Sequence, residues 1–351
     1  MGFSLSLEKA NVLLNELKKE YRIYAPKRFE KQGRYSDTDI IRYDEINCAE
    51  EIVTDEKSTY TPKEILFPIT QTILFFTEDE YRETKMDDKK ILIFMRPCDI
   101  NARKVQERIY MGNGGFEDYY YKRLREKVKF VMMECTKGWD TCFCVSMNTN
   151  KATNYAAAVR FQKDGILLDV KDEELSGYLK DATEVPFEVE FIKENETSVE
   201  LPQIPNKQVL NAIKEHPVWN EYKTRCIGCG ACTIACGTCT CFTTTDLFYR
   251  ENVNVGERRR TYTSCQVTGF DEMAGGLKFR KNYADSMRYK VLHKVHDYKE
   301  RFGENMCVGC GRCTDRCPQF ISFSHTIEKL NQAVKEICDN ADKSITSEGV
   351  K

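Results

Sequence analysis

The feature that most limits what this chain can fold into is a repeat of closely spaced cysteines. CIGCGACTIACG at 226–237 aligns without gaps on CVGCGRCTDRCP at 307–318, sharing the four cysteines, both glycines and a threonine. Each copy has the spacing C-x2-C-x2-C-x3-C. A loop with three thiols at that spacing can reach three corners of a [4Fe–4S] cube. The fourth cysteine opens the next helix and, in two-cluster ferredoxins, ligates the other cube. The pattern therefore predicts two [4Fe–4S] clusters with crossed ligation: cluster A on Cys226, Cys229, Cys232 and Cys317, and cluster B on Cys307, Cys310, Cys313 and Cys236. Gly228, Gly230, Gly309 and Gly311 allow tight backbone approach, so that main-chain N–H groups can face the sulfurs. Ile227 and Val308 are placed to pack over the cubes. The competing reading is structural zinc, but zinc ribbons set two C-x2-C pairs roughly 15–20 residues apart, a poor match to four thiols in one short loop.

Composition points the same way. The 351 residues include 17 cysteines and only 4 histidines. With an odd cysteine count and no export signal, disulfides are not expected, and the balance favours soft-metal chemistry. Lys and Arg total 53 against 55 Asp and Glu, a net charge of −2, which gives no global field to draw nucleic acid or an anionic membrane. No apolar run is long enough to span a bilayer. The opening MGFSLSLEKANVLLNELKKEY reads as an amphipathic helix rather than a leader. A cytoplasmic location is expected.

The fold class expected is α+β: a mixed α/β N-terminal domain, then a mainly helical, two-[4Fe–4S] ferredoxin-like C-terminal domain. Residues 1–200 form the first, and 208–340 the second, interrupted by an insertion of about 70 residues between the motifs; 341–351 is a flexible tail. EILFPITQTILFF (64–76), KKILIFMRP (89–97) and VKFVMMEC (128–135) read as buried strands, 101–111 as helix, and GILLDV (165–170) and VPFEVEFI (185–192) as alternating strands. SVELPQIPNK (198–207), with Pro202 and Pro205, reads as the linker. Residues 282–303 and 324–340 read as helices, the latter with Ile327, Leu330, Val334 and Ile337 on one face.

A second group of cysteines follows strand-like runs. Cys98, Cys135, Cys142 and Cys144 are the right number for a third [4Fe–4S] cluster, although irregularly spaced. The alternative is that they are buried small hydrophobes. Cys239 and Cys241 are left unassigned, with a structural role favoured, and Cys48, Cys265 and Cys338 are not expected to be ligands. ERRRTY (257–262) is either a solvated basic face or a docking surface for an acidic partner. His293 and His296 read as structural. No dinucleotide or phosphate-binding glycine motif is present, so no catalytic residues are expected. Such a chain takes electrons from one partner and passes them to another.

With YRIYAPK, PKEILFP, RPCDI, CFCVSMNT, both cysteine motifs, SCQVTGFDEMAGGLKFRKN and RYKVLHK, the sequence resembles the A subunit of anaerobic sulfite reductase over nearly its whole length. The RPCD and CFC segments also occur in a wider group that includes the beta subunits of soluble sulfhydrogenases. The resemblance implies a non-catalytic iron–sulfur subunit of a hetero-oligomeric oxidoreductase. It would relay electrons from a flavin subunit that oxidises NADH to a sirohaem subunit that reduces sulfite to sulfide. The alternative is the analogous relay subunit of a soluble hydrogenase or another flavin-linked oxidoreductase. Gly237 stands where the wider group has proline after the fourth cysteine, which bears on helix geometry there and not on the ligand.

Overall fold

The structure, a computed structural model, describes residues 2–180, 182–249 and 252–348. The chain divides into two compact units and passes between them more than once. The first runs to Gly138 and adds Thr149–Lys193 and Ala235–Tyr262. The second comprises Trp139–Asn148, Glu194–Ile234 and the chain from Thr263 onward.

The first unit holds β1 (Gly2–Ser6), β2 (Tyr21–Phe29), β3 (Ile40–Glu45), β4 (Thr70–Phe76), β5 (Tyr81–Glu83), β6 (Lys90–Met95), β7 (Val128–Met133), β8 (Ala157–Gln162), β9 (Gly165–Val170), β10 (Thr183–Val185), β11 (Phe242–Tyr249) and β12 (Asn252–Tyr262). Eight of these form one sheet in the order β10-β1-β9-β8-β7-β6-β2-β3. Its centre, β2-β6-β7-β8, is parallel, and its flanks are antiparallel. KILIFM and VKFVMM suit the centre because both faces of a parallel strand are covered. Alternate residues feed two cores: Leu92, Phe94, Val131 and Met133 one, and Ile91, Ile93, Met95, Phe130 and Met132 the other. Ala10, Leu14 and Leu17 of the helix Leu7–Leu17 join the first core, and Ile100 and Tyr110 of the helix Pro97–Gly112 join the second. The opening segment is thus a strand before a helix. The switch falls at Ser6, whose hydroxyl accepts the Lys9 N–H at 3.3 Å as an N-cap.

Several strand expectations change. The run 64–76 is not one buried strand. Lys63–Leu66 is a helical turn, and β4 lies half-exposed in a second, antiparallel sheet ordered β11-β12-β4-β5. Alternation over 185–192 yields only the end of β10 and an isolated bridge between Cys135 and Phe191. ERRRTY is part of β12, and not simply a solvated face. Arg260 is 4% exposed, forms an ion pair with Asp118 at 2.7 Å and lies over the Phe67 ring. Within 208–340, the insertion contributes β11 and β12 beside the helices of that region.

Glu174 ties three sheet residues together, accepting from Lys90 Nζ at 2.5 Å, Tyr21 Oη at 2.6 Å and Lys129 Nζ at 2.9 Å. The Lys90, Tyr21 and Lys129 hydrogen bonds hold its carboxyl down at about 2 against 4.5 for a free group. A depressed carboxyl stabilises the fold above its unfolded value and loses that contribution as pH falls through the folded one. Glu174→Gln should cost about 1 kcal/mol at neutral pH, screening by solvent included. Urea midpoints of the two proteins should converge as pH falls from 4.5 towards 2. A gap that persists there would show that the carboxylate charge is not what matters.

The second unit is helical around its cysteine loops. Its core gathers Val209, Ile213, Trp219, Tyr222, Met287, Val291, Ile327, Leu330 and Val334, with Ile337 and Cys338 packed against it. The segment 198–207 packs Val199, Leu201 and Ile204 against the same core. The long helical stretch has three parts: Tyr283–Leu292, a π-helical turn His293–Asp297, and Tyr298–Phe302, closed by Gly303 in the left-handed region. A π turn frees backbone groups from the regular ladder. Here the Lys294 carbonyl accepts from the N–H groups of Met306 and Cys307 at 2.9 and 3.2 Å, anchoring the start of the second motif. The helix Phe323–Glu348 runs into the segment expected as a tail; residues 349–351 lie outside the described residues.

Candidate iron–sulfur centres

The first motif is a loop between two helical turns. Cys226 caps Tyr222–Arg225, Cys229 lies in the loop, and Cys232 lies within Ala231–Ile234. Cys317 follows Arg312–Asp315, in the second motif. These four cysteines line one pocket, with Cys313, Met287, Ile321, Phe323, Gln266 and Lys290 also in its wall. It encloses about 490 Å³, including space open to solvent. Burial pushes the Cys226 thiol up, and the Gly228 N–H pulls it back. The charges of Cys232, Cys229 and Cys317 push it up further. The thiol that opens the first motif therefore feels the charges of the other three ligands predicted for cluster A. A wall of thiols among Met287, Ile321 and Phe323 is a soft donor set, suited to an iron–sulfur cube rather than to a hard cation. Among the described residues, no three His, Cys, Asp or Glu side chains stand close enough to hold a single metal ion. Cys229 is exposed and Ile227 is 50% exposed, whereas Val308 is 4% exposed; the expected cover is thus present over the second loop and partial over the first.

In the second motif, the Gly309 N–H donates to Cys307 Sγ at 3.4 Å. Against this loop lies the segment that carries CFC. The Phe143 N–H donates to the Gly309 carbonyl at 2.8 Å, Thr141 Oγ1 donates to Asp315 Oδ1 at 2.7 Å, and Cys142 Sγ lies 3.7 Å from the Cys310 carbonyl. Cys142 and Cys144 are buried, and Cys144 Sγ lies 3.6 Å from Asn195 Oδ1. Of the four middle cysteines, these two fall in the second unit. Cys98, in the first turn of Pro97–Gly112, and Cys135, just past β7 with its Sγ 3.1 Å from the Lys137 carbonyl, fall in the first. Cys236 also falls in the first unit, with its Sγ 3.3 Å from Thr238 Oγ1.

Gly237 has a spatial cause. A Cβ there would meet Ala102 Cβ at 3.0 Å and Thr61 Cγ2 at 3.3 Å. Its carbonyl accepts from the buried Arg103 Nη2 at 2.8 Å and Gln106 Nε2 at 2.9 Å. A side chain at 237 would therefore press on the helix Pro97–Gly112, which would have to give by a few tenths of an ångström. Sequence reasoning missed the polar wall behind the first motif: Thr233, Ser264, Gln266 and Lys290, all buried. No spacing rule links Lys290 to a cysteine 58 positions away.

Residues 225–321 match the family model of the 4Fe-4S dicluster domain. The chain is also similar to sulfhydrogenase 2 subunit beta of Pyrococcus furiosus, 28% identical over 333 residues, covering 91% of this chain and 95% of the relative. Both likenesses support an iron–sulfur electron-transfer subunit. They fit the hydrogenase-type alternative better than the sulfite reductase reading, for which they offer nothing specific. No solved structure matches the chain. No described helix is long and apolar enough to cross a membrane.

Proposed function

We propose that this chain is the electron-relay subunit of a hetero-oligomeric oxidoreductase of the sulfhydrogenase type, passing electrons through two [4Fe–4S] clusters between a flavin-linked partner and a catalytic subunit. The reading rests on one observation above all: Cys317 shares a pocket with Cys226, Cys229 and Cys232, as crossed ligation requires. Cluster B is assigned to Cys307, Cys310, Cys313 and Cys236, and Cys98, Cys135, Cys142 and Cys144 are the candidate ligands should iron counting show a third. Bound cubes would supply one-electron chemistry. The protein's part is to hold the thiolates, exclude water on the Met287 and Phe323 side, and leave Cys229 near the surface for exchange with a partner. The sulfite-reducing complex, with NADH-oxidising flavin and sirohaem partners, is kept as a second reading because segments such as SCQVTGFDEMAGGLKFRKN and RYKVLHK resemble that family.

The deciding experiment isolates the chain in its native complex without oxygen. Hydrogen oxidation by the complex supports the first reading. NADH-dependent formation of sulfide from sulfite moves the assignment to the second. Iron near twelve per chain supports the third cluster and iron near eight removes it. Colourless, zinc-loaded material would end all of these assignments.

A further inference from the structure

The two motifs match around their cysteines and differ in what lies behind them. Ala231 of the first corresponds to Arg312 of the second, which is 2% exposed. Thr233 and Thr314 correspond as well, yet they serve different ends. Thr314 Oγ1 accepts the Phe323 N–H at 3.0 Å and so fixes the start of the last helix. Thr233, 2% exposed, instead joins a polar cluster: Ser264 Oγ donates to its hydroxyl at 2.7 Å, and Lys290 Nζ at 3.2 Å. Ser264 also receives the Gln266 N–H at 3.1 Å. Lys290 is 3% exposed, and its Nζ lies 3.0 Å from Cys232 Sγ, one of the pocket thiols.

A lysine this deep is costly to keep charged unless negative charge stands beside it. Four cysteine thiolates around a cube provide that charge. A cube held by four thiolates is anionic and gains one further negative charge on reduction. A fixed ammonium hydrogen-bonded to a ligand sulfur therefore favours the reduced form more than the oxidised one. Thr233 holds the ammonium in place, and Ser264 in turn holds Thr233.

We infer that Lys290 sets the reduction potential of cluster A, through Cys232, above the value that the cysteine ligands alone would give. The inference rests on the assignment of a cube to Cys226, Cys229, Cys232 and Cys317. The step concerned is a one-electron reduction in which the lysine neither makes nor breaks a bond.

The test uses the full chain, purified without oxygen, and follows its reduced-cluster EPR signals in a dithionite potentiometric titration. Lys290→Met should retain wild-type iron and sulfide. One signal should become about tenfold harder to reduce, close to 59 mV for a one-electron couple, with the other unmoved. Lys290→Arg should keep that signal close to its wild-type potential. Thr233→Val, which removes only the hydroxyl that steadies the ammonium, should shift the same signal in the same direction by less. Wild-type titration of both signals in an iron-replete Lys290→Met protein would overturn the inference, as would equal shifts of both. If Lys290→Met cannot hold iron, an unshifted Thr233→Val protein overturns it as well. A Cys229→Ser protein that keeps every cluster signal of the wild type would instead strike at the cluster assignment itself, and the role of Lys290 would fall with it.

Discussion

Replacing Cys317 by alanine should empty the cluster of the first motif and leave that of the second. The residue lies in the second motif by sequence, so reading each loop as a separate site gives the opposite expectation. The crossed assignment is proposed because Cys317 lines the pocket of Cys226, Cys229 and Cys232, which Cys313 also reaches, and because its charge acts on the Cys226 thiol. Iron should drop by roughly four per chain. The EPR signal that remains should be the one that survives Cys229→Ala and disappears in Cys310→Ala. Adding Cys229→Ala to Cys317→Ala should remove no further iron, because two ligands of one cube are not independent. Pairing Cys317→Ala with Cys310→Ala should remove about eight irons in all. If that pair loses no more than either single variant, Cys310 and Cys317 serve one cube and the crossed assignment is wrong.

Much of the site was legible because cluster ligation writes itself as covalent spacing. Three thiols in seven residues must come from one loop, whatever surrounds them. The centre of the large sheet was legible for a similar reason: KILIFM and VKFVMM admit few positions other than one covered on both faces. Other elements were not. β12 carries a run of four charged residues, Glu257 to Arg260, and its strand character comes from pairing with β11 and with β4, which is far off in sequence. The half-exposed β4 was read as a core strand because its residues are apolar, while its neighbours, and not its composition, put it in the second sheet. Lys290 is invisible to any local rule, since its meaning comes from helix packing against a loop 58 residues earlier. The identity of the partners was harder still. The paired motifs concern how iron would be held, not what the electrons reduce. Relatives with different terminal reactions can share them, and for that reason the similarity to a sulfhydrogenase subunit weighs more than the motifs do.

A large effect is expected of one change that touches no thiol, Gly309→Ala. Gly309 has φ +63°, where a Cβ is strained before any neighbour is considered. The added carbon would also stand 2.6 Å from the Phe143 carbonyl carbon and oxygen and 2.7 Å from the Cys144 nitrogen. These are backbone atoms that cannot rotate away. Phe143 is 1% exposed, packs in the core and donates its N–H to the Gly309 carbonyl at 2.8 Å. Relief would therefore require the CFC segment to part from the second motif, giving up that hydrogen bond and shifting Cys310. The cost should be about 3 kcal/mol or more, with loss of the second motif's iron and survival of the first. Gly114→Ala supplies the comparison. It has φ +74° and nothing within 4 Å of the added carbon, so backbone strain acts alone, at about 1 kcal/mol. Denaturation midpoints and iron counts of the two variants separate strain from collision. Equal destabilisation, with full iron in both, would mean that the close approach of CFC to the second motif does not hold in solution.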